Sequence, residues 1–217
     1  MISPLALKNL EPLARGRERL VFEHPDTPQL LVKVMRPDLA DARYGKGAVW
    51  YRRRRRFGPY VVFMREIREY VAAYANAGHS LPFAQQVVGL AETDLGLGLI
   101  IGAVRGPDGR LAPTAATLIA NGEFDQRAEE ALEEFLADLL ESDLVIADLH
   151  EQNIVYAYNP NGERHFVMID GLGSANLLPF KSWSRHFNRR SKIKRIARLR
   201  ARIAPRLAAF HAGNPIR

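Results

Sequence analysis

Val145-Ile146-Ala147-Asp148-Leu149-His150-Glu151-Gln152-Asn153-Ile154-Val155-Tyr156 carries the strongest pattern in the chain. An apolar run enters, a polar stretch interrupts it and a second apolar run leaves, which predicts a loop between two buried segments. Asp148 and Asn153 stand five positions apart on that loop. Asn159-Pro160-Asn161-Gly162 then predicts a turn back into a strand over residues 165–169, and Asp170-Gly171 ends that strand. A carboxylate, an amide and a second carboxylate are thus expected at the end of one short hairpin. Phosphoryl transfer from ATP needs such a set: magnesium ligands, a carboxylate near the acceptor hydroxyl, and a cation on the nucleotide phosphates.

Upstream, the missing cation has a natural place. Leu20-Val21-Phe22 and Leu30-Leu31-Val32-Lys33-Val34-Met35 read as a hairpin across His24-Pro25-Asp26-Thr27-Pro28, preceded by Arg15-Gly16-Arg17. Lys33 lies mid-strand between two valines. Residues 36–59 show no periodicity and predict an irregular connection. Residues 62–77 turn helical, with Phe63, Ile67, Tyr70 and Tyr74 about one turn apart and Gly78 positioned to end the helix. Glu66 and Glu69 share one helix face, so either could pair with Lys33; Glu66 is preferred. A second hairpin follows over residues 85–91 and 97–104. Residues 105–113, rich in Gly and Pro, predict a hinge. Residues 129–140 predict an amphipathic helix with Leu132, Phe135, Leu136, Leu139 and Leu140 on its apolar face.

The hexad Asp148 to Asn153 resembles the D-L-x-x-x-N loop of the protein-kinase-like superfamily, and Asp170-Gly171-Leu172 resembles its D-F-G. The resemblance spans residues 13–174. Small size, the hairpin of residues 17–25, Arg65-Glu66-Ile67-Arg68-Glu69, and Leu178-Pro179 followed by Trp183-Ser184 further resemble the bacterial YrbL family, grouped with a PhoP regulatory network. The resemblance implies an α+β, bilobal protein-kinase-like fold: a β-rich N-lobe over 1–104, a hinge over 105–113, and a reduced, mainly helical C-lobe over 114–217. It implies ATP and magnesium as cofactors. Asp148 would orient or deprotonate the hydroxyl, Lys33 aligned by Glu66 would hold the phosphates, and Asn153 and Asp170 would hold magnesium. Gly16, Arg17, Gly102 and Val104 would complete the nucleotide site.

Departures from the kinase pattern shape the expected substrate. Gly16 stands alone where G-x-G-x-x-G would be, Ile146-Ala147 stand for His-Arg, and 47 residues follow Asp170 without A-P-E. A small molecule or a sugar or lipid headgroup is expected over a protein substrate, as in the lipopolysaccharide sugar kinases that the outline also resembles. The alternative is a nucleotide-binding pseudokinase that regulates a partner protein. His150 reads as a structural or substrate-side residue rather than a metal ligand.

Composition narrows the setting. There is no cysteine among 217 residues, which excludes disulfides, thiolate metal sites and a cysteine nucleophile. No signal sequence and no apolar run of membrane-spanning length is found, so a cytoplasmic location is expected. Residues 171–217 hold 12 of the 31 Lys and Arg and none of the 24 Asp and Glu, leaving residues 1–170 net acidic. Ile193, Ile196, Leu199 and Ile203 recur at helical spacing among those cations, which predicts a basic amphipathic helix. Two readings of it stay open: docking on the acidic helix of residues 129–141, or contact with an anionic membrane surface, at the periphery of the inner membrane. Nucleic acid is not an expected partner. Arg52 to Arg56 read as a solvated loop or as a flap over an anionic substrate.

Overall fold

Alternation in Arg19-Leu20-Val21-Phe22-Glu23 sets the first sheet. In the computed structural model, which describes residues 3–50, 56–159, 161–173 and 185–211 (side chains to 208), these residues form strand β2 (Arg19–Glu23). Arg52 to Arg55 and the Leu178-Pro179 and Trp183-Ser184 pairs lie outside the described residues. β2 pairs with β1 (Ala14–Arg15) and β3 (Leu30–Met35); β3 pairs with β5 (Gly96–Gly102), and β5 with β4 (Val87–Thr93). The sheet is antiparallel in the order β1-β2-β3-β5-β4. β3 is its middle strand, and Leu31 to Met35 are all buried.

The register assigns the two faces. Leu20 opposes Val34 and Phe22 opposes Val32, so these four share one face and cluster with Leu7 and Ile100. The N-terminal segment covers that face because Asp94 ties it down: its Oδ1 accepts from Leu7 N at 2.8 Å. That amide, with Lys8 N donating to Oδ2 at 3.1 Å, holds the Asp94 carboxyl below its usual range. Gly98 permits the close packing of β5, since a Cβ there would fall 2.7 Å from Val32 Cγ1. The opposite face carries Arg19, Val21, Leu31, Lys33 and Met35.

A helix appears where the sequence predicts an irregular connection: α1 (Pro37–Tyr44), followed by a 3-10 turn (Gly58–Tyr60). No residue of α1 is buried, so it has no apolar stripe to betray it. Pro37 at its first turn, Asp38 paired to Arg36 at 2.7 Å, and an Arg43–Glu18 ion pair hold it instead. α2 (Val61–Ala77) forms as expected, but its buried positions are Phe63, Glu66 and Ala73. Tyr74, expected on the apolar stripe, is exposed.

The chain divides into two units, residues 1–68 with 86–103, and residues 69–85 with 104–217. The second unit contains α3 (Ala115–Asn121), α4 (Gln126–Glu141), the hairpin β6 (Ile154–Tyr158) and β7 (Arg164–Met168), and α5 (Arg185–His211). Asp125 caps α4 by accepting from Ala128 N at 2.8 Å. Its Leu132, Phe135, Leu136 and Leu139 pack with Phe166 and Met168 of the hairpin and with Ile196, Leu199 and Ile203 of α5. The described residues are therefore α+β, with one five-stranded antiparallel sheet, one hairpin and five α-helices.

α5 departs from its expected stripe at one position. Ile193 is half exposed, and Lys192 takes the buried place beside it. The Lys192 ammonium donates to Leu139 O at 2.8 Å, Ser142 O at 2.5 Å and Ser142 Oγ at 3.1 Å. A cation is thereby set on the carbonyls that end α4, where the helix dipole favours positive charge. Burial nevertheless pulls the Lys192 pKa from 10.5 down to about 8. Lys192→Met should lower stability by about 1–3 kcal/mol, because it takes the ammonium from Ser142 O and leaves Leu139 O with the Ser142 hydroxyl alone. Between about pH 8 and 10.5 the folded lysine is deprotonated while the unfolded one still holds its proton, so its charge penalty is lifted as pH rises. The stability difference between wild type and Lys192→Met, read from urea titrations, should be flat below about pH 8, grow between about pH 8 and 10.5, and level off above that.

Candidate functional site

In the first unit Lys33 projects from β3, flanked by Val21 of β2 and Leu99 of β5. Its side chain is 7% exposed, and Nζ lies 3.1 Å from Glu66 Oε2. The other oxygen of Glu66 accepts from the Arg19 guanidinium. Glu69 belongs to the second unit, where its Oε2 accepts from Val145 N at 3.0 Å. The ambiguity between the two glutamates is resolved: Glu66 pairs with Lys33, and Glu69 holds the chain entering the Asp148 loop.

Arg19 escaped the sequence reading, although a signal for it existed. In β2 it shares a face with Val21, the cross-strand neighbour of Lys33, so alternation directs it toward the same side of the sheet. Two cations thus meet one buried carboxylate. Gly16 and Arg17 lie in the turn between β1 and β2, where Gly16 N donates to Arg19 O at 2.8 Å. A Cβ at Gly16 would sit in ordinary contact, 3.4 Å from that oxygen. Gly102 ends β5 and its N donates to Gln86 O at 2.9 Å. Val104 packs in the second unit against Ala112, Val155, Ala157 and Val167, and the 105–113 segment forms a tight turn with Arg105 bridged to Leu111.

In the second unit the Asp148 loop and the Asp170-Gly171 strand end lie side by side. Ala147 N and Asp148 N donate to Gly171 O at 2.7 and 3.1 Å, Gly173 N donates to Val145 O at 2.7 Å, and Ile146 bridges Leu172. Gly171 makes that approach possible. Its φ is +83°, and a Cβ there would fall 2.1 Å from Asp148 O and 3.2 Å from Asn153 Nδ2. Asn153 Nδ2 donates to Asp148 O at 3.2 Å, which leaves its Oδ1 as the open acceptor. Asp170 Oδ1 accepts from Gly171 N at 2.6 Å. Asp148, Asn153 and Asp170 are thereby gathered at one edge of the hairpin, with the Asp148 side exposed to solvent. Among the described residues there is no cluster of three His, Cys, Asp or Glu that could hold a metal. A one-carboxylate, one-amide set suits magnesium, which keeps most of its shell as water and phosphate oxygens.

α5 holds this loop from behind. Asn188 Nδ2 donates to Leu144 O at 3.0 Å, and buried Glu151 accepts from Arg202 at 3.1 Å and from Arg206 at 3.4 Å. His150 turns Nδ1 to its own loop, accepting from Gln152 N at 3.2 Å. Arg195 lies midway along α5 between Asn188 and Arg202, on the same face. Burial pushes its guanidinium pKa down while the charge of Asp148 draws it up. Its Nε is fully enclosed and makes no hydrogen bond among the described residues. The sequence marks Arg195 only as one cation of a basic helix, because its partner surface is 47 residues away. Replacing both Arg202 and Arg206 by Ala should leave Glu151 as an uncompensated buried carboxylate. Stability should fall by about 2–3 kcal/mol, and amide exchange in residues 147–153 should rise in hydrogen-exchange mass spectrometry.

Residues 5–204 match the family described as PhoP regulatory network protein YrbL. The chain is also 23% identical over 189 residues to the "Uncharacterized protein YrbL" of Escherichia coli (strain K12), covering 83% of this chain and 79% of that protein. The corresponding protein of Shigella flexneri matches to the same extent. The match takes in both units, the Lys33–Glu66 pair and the whole Asp148 to Gly171 edge, and the chain belongs to the YrbL family.

Proposed function

We propose that the chain is a protein-kinase-like phosphotransferase, moving the γ-phosphoryl group of ATP to a hydroxyl of a small or membrane-associated anionic substrate. The first unit would be its small lobe and the second its reduced large lobe. The observation that carries this reading is the buried Lys33–Glu66 ion pair on a middle sheet strand, present in the same chain as an Asp148, Asn153 and Asp170 edge. A buried lysine fixed by a carboxylate is expensive to maintain for packing alone. As a phosphate-binding cation it has a reason to be there.

The roles follow from the chemistry of each group. Lys33, with Arg19 beside it on Glu66, would bind the nucleotide phosphates. Asn153 Oδ1 and the Asp170 carboxylate would hold magnesium, which neutralises charge on the transferred group. Asp148, exposed and free to meet a substrate, would take the proton of the acceptor hydroxyl as that oxygen bonds to phosphorus and ADP departs. Arg195, half-buried within the field of Asp148, supports an acceptor that carries its own negative charge.

A pseudokinase that binds nucleotide to regulate a partner is the second reading. It draws on the β1–β2 turn, which carries one glycine, Gly16, where a kinase phosphate-covering loop carries three. Magnesium-dependent ATP hydrolysis or autophosphorylation by the purified chain separates the two. Asp148→Asn should reduce turnover by about 10²–10⁴-fold with nucleotide affinity nearly unchanged. Lys33→Met should weaken nucleotide binding as well. Wild-type turnover that survives Asp148→Asn intact would end the phosphotransferase assignment.

A further inference from the structure

α5 carries ten Lys and Arg and no acid. Seven are turned to the chain's own groups. Arg185 pairs with Asp143, Arg189 with Glu141, Arg200 with Glu133, and Arg202 and Arg206 with Glu151. Lys192 caps α4, and Arg195 is half-buried. The three that remain, Arg190, Lys194 and Arg198, are exposed and make no ion pair among the described residues. They stand at i, i+4 and i+8, one above another, where like charges weaken a helix. Phe187 lies on the same stripe and is 62% exposed; Ile193, beside Arg190 on the wheel, is 50% exposed.

We propose that this outward face, Phe187, Arg190, Ile193, Lys194 and Arg198, is a docking surface for an anionic lipid bilayer. A row of cations with bulky apolar residues among them, on a helix whose other face is packed, is the chemistry of an interfacial helix lying in the headgroup plane. The cations meet lipid phosphates and the Phe and Ile side chains enter the acyl boundary. A nucleic acid would use the cations but gain nothing from an exposed isoleucine. None of the described helices is long and apolar enough to cross a membrane, so the attachment is peripheral. The inference stands independently of the phosphotransfer reading, since it involves none of the residues placed in that site.

The test uses the full chain and sedimentation with vesicles of phosphatidylcholine alone or with about one-third phosphatidylglycerol. Binding to the mixed vesicles at low salt, release at about 0.5 M salt, and no binding to neutral vesicles are expected. Arg190→Ala, Lys194→Ala and Arg198→Ala together should weaken partitioning by about 100-fold, roughly fivefold per cation. Phe187→Ser should weaken it several-fold. A charge-matched control, Lys8→Ala, Arg110→Ala and Arg127→Ala, should bind within about twofold of wild type. All six cations are exposed, and alanine favours helix, so circular dichroism should be unchanged in both variants. Three results overturn the proposal: wild type ignoring anionic vesicles at low salt, the α5 triple variant binding like wild type, or the control losing as much as the triple. Tighter binding to a single-stranded RNA oligonucleotide than to the vesicles, abolished by the α5 substitutions, would assign the face to nucleic acid instead.

Discussion

A carboxylate removed from water must be met by cations, and this chain meets that requirement twice. Glu66, 5% exposed, lies between Lys33 and Arg19; Glu151, also 5% exposed, lies between Arg202 and Arg206. Much follows from the first. Lys33 and Arg19 reach Glu66 only if β2 and β3 keep the register that sets both on one sheet face. A slip of one residue in β3 would turn Lys33 into the cluster of Leu7, Leu20, Phe22 and Ile100, with no counter-charge there. The ion pair therefore selects the strand register as firmly as the apolar pattern does. The second carboxylate does the same for the Asp148 loop, fixing it against a helix that begins more than thirty residues later in the chain.

How far these features could be read in advance depends on what each relies upon. Lys33 was legible because a lone lysine between valines interrupts a strand pattern, and the Asp148–Asn153 spacing because both residues are local to one loop. Glu66 against Glu69 was open because three residues is nearly one helical turn; only their partners, Lys33 Nζ and Val145 N, distinguish them. α1 was invisible, since a helix with no buried residue leaves no period in the sequence. The buried place of Lys192 was hidden for the opposite reason. Periodicity nominates Ile193, but three carbonyl and hydroxyl oxygens at the end of α4 offer an ammonium more than an isoleucine could gain there. Arg195 was missed because its surroundings are assembled by tertiary contacts, which composition does not reveal, whereas alternation along β2 already sets Arg19 on the face of Lys33.

Gly171 shows how one backbone position decides the chemistry available nearby. With φ at +83° and the Asp148 carbonyl where a Cβ would be, no other residue lets the two loop ends lie together. That contact gives Asn153 Nδ2 to Asp148 O and leaves Oδ1 as the acceptor end of the amide. The polarity of the amide, on which the magnesium role proposed for Asn153 depends, is set by a hydrogen bond that glycine makes possible.

The basic end of the chain divides into two populations by partner. Five arginines of α5 pair with four acids, and a sixth cation caps a helix; these explain why the helix packs where it does. Docking on an acidic surface is thus sufficient to account for an excess of Lys and Arg on one face, and insufficient for the other. Arg190, Lys194 and Arg198 gain nothing from α4, repel one another along the helix, and stand beside two bulky apolar groups that water solvates poorly. Folding alone would favour acids or small polar residues at these positions. A stripe that is unfavourable to the isolated chain on both electrostatic and hydrophobic grounds becomes favourable on both only when a surface that is negatively charged and apolar beneath lies against it.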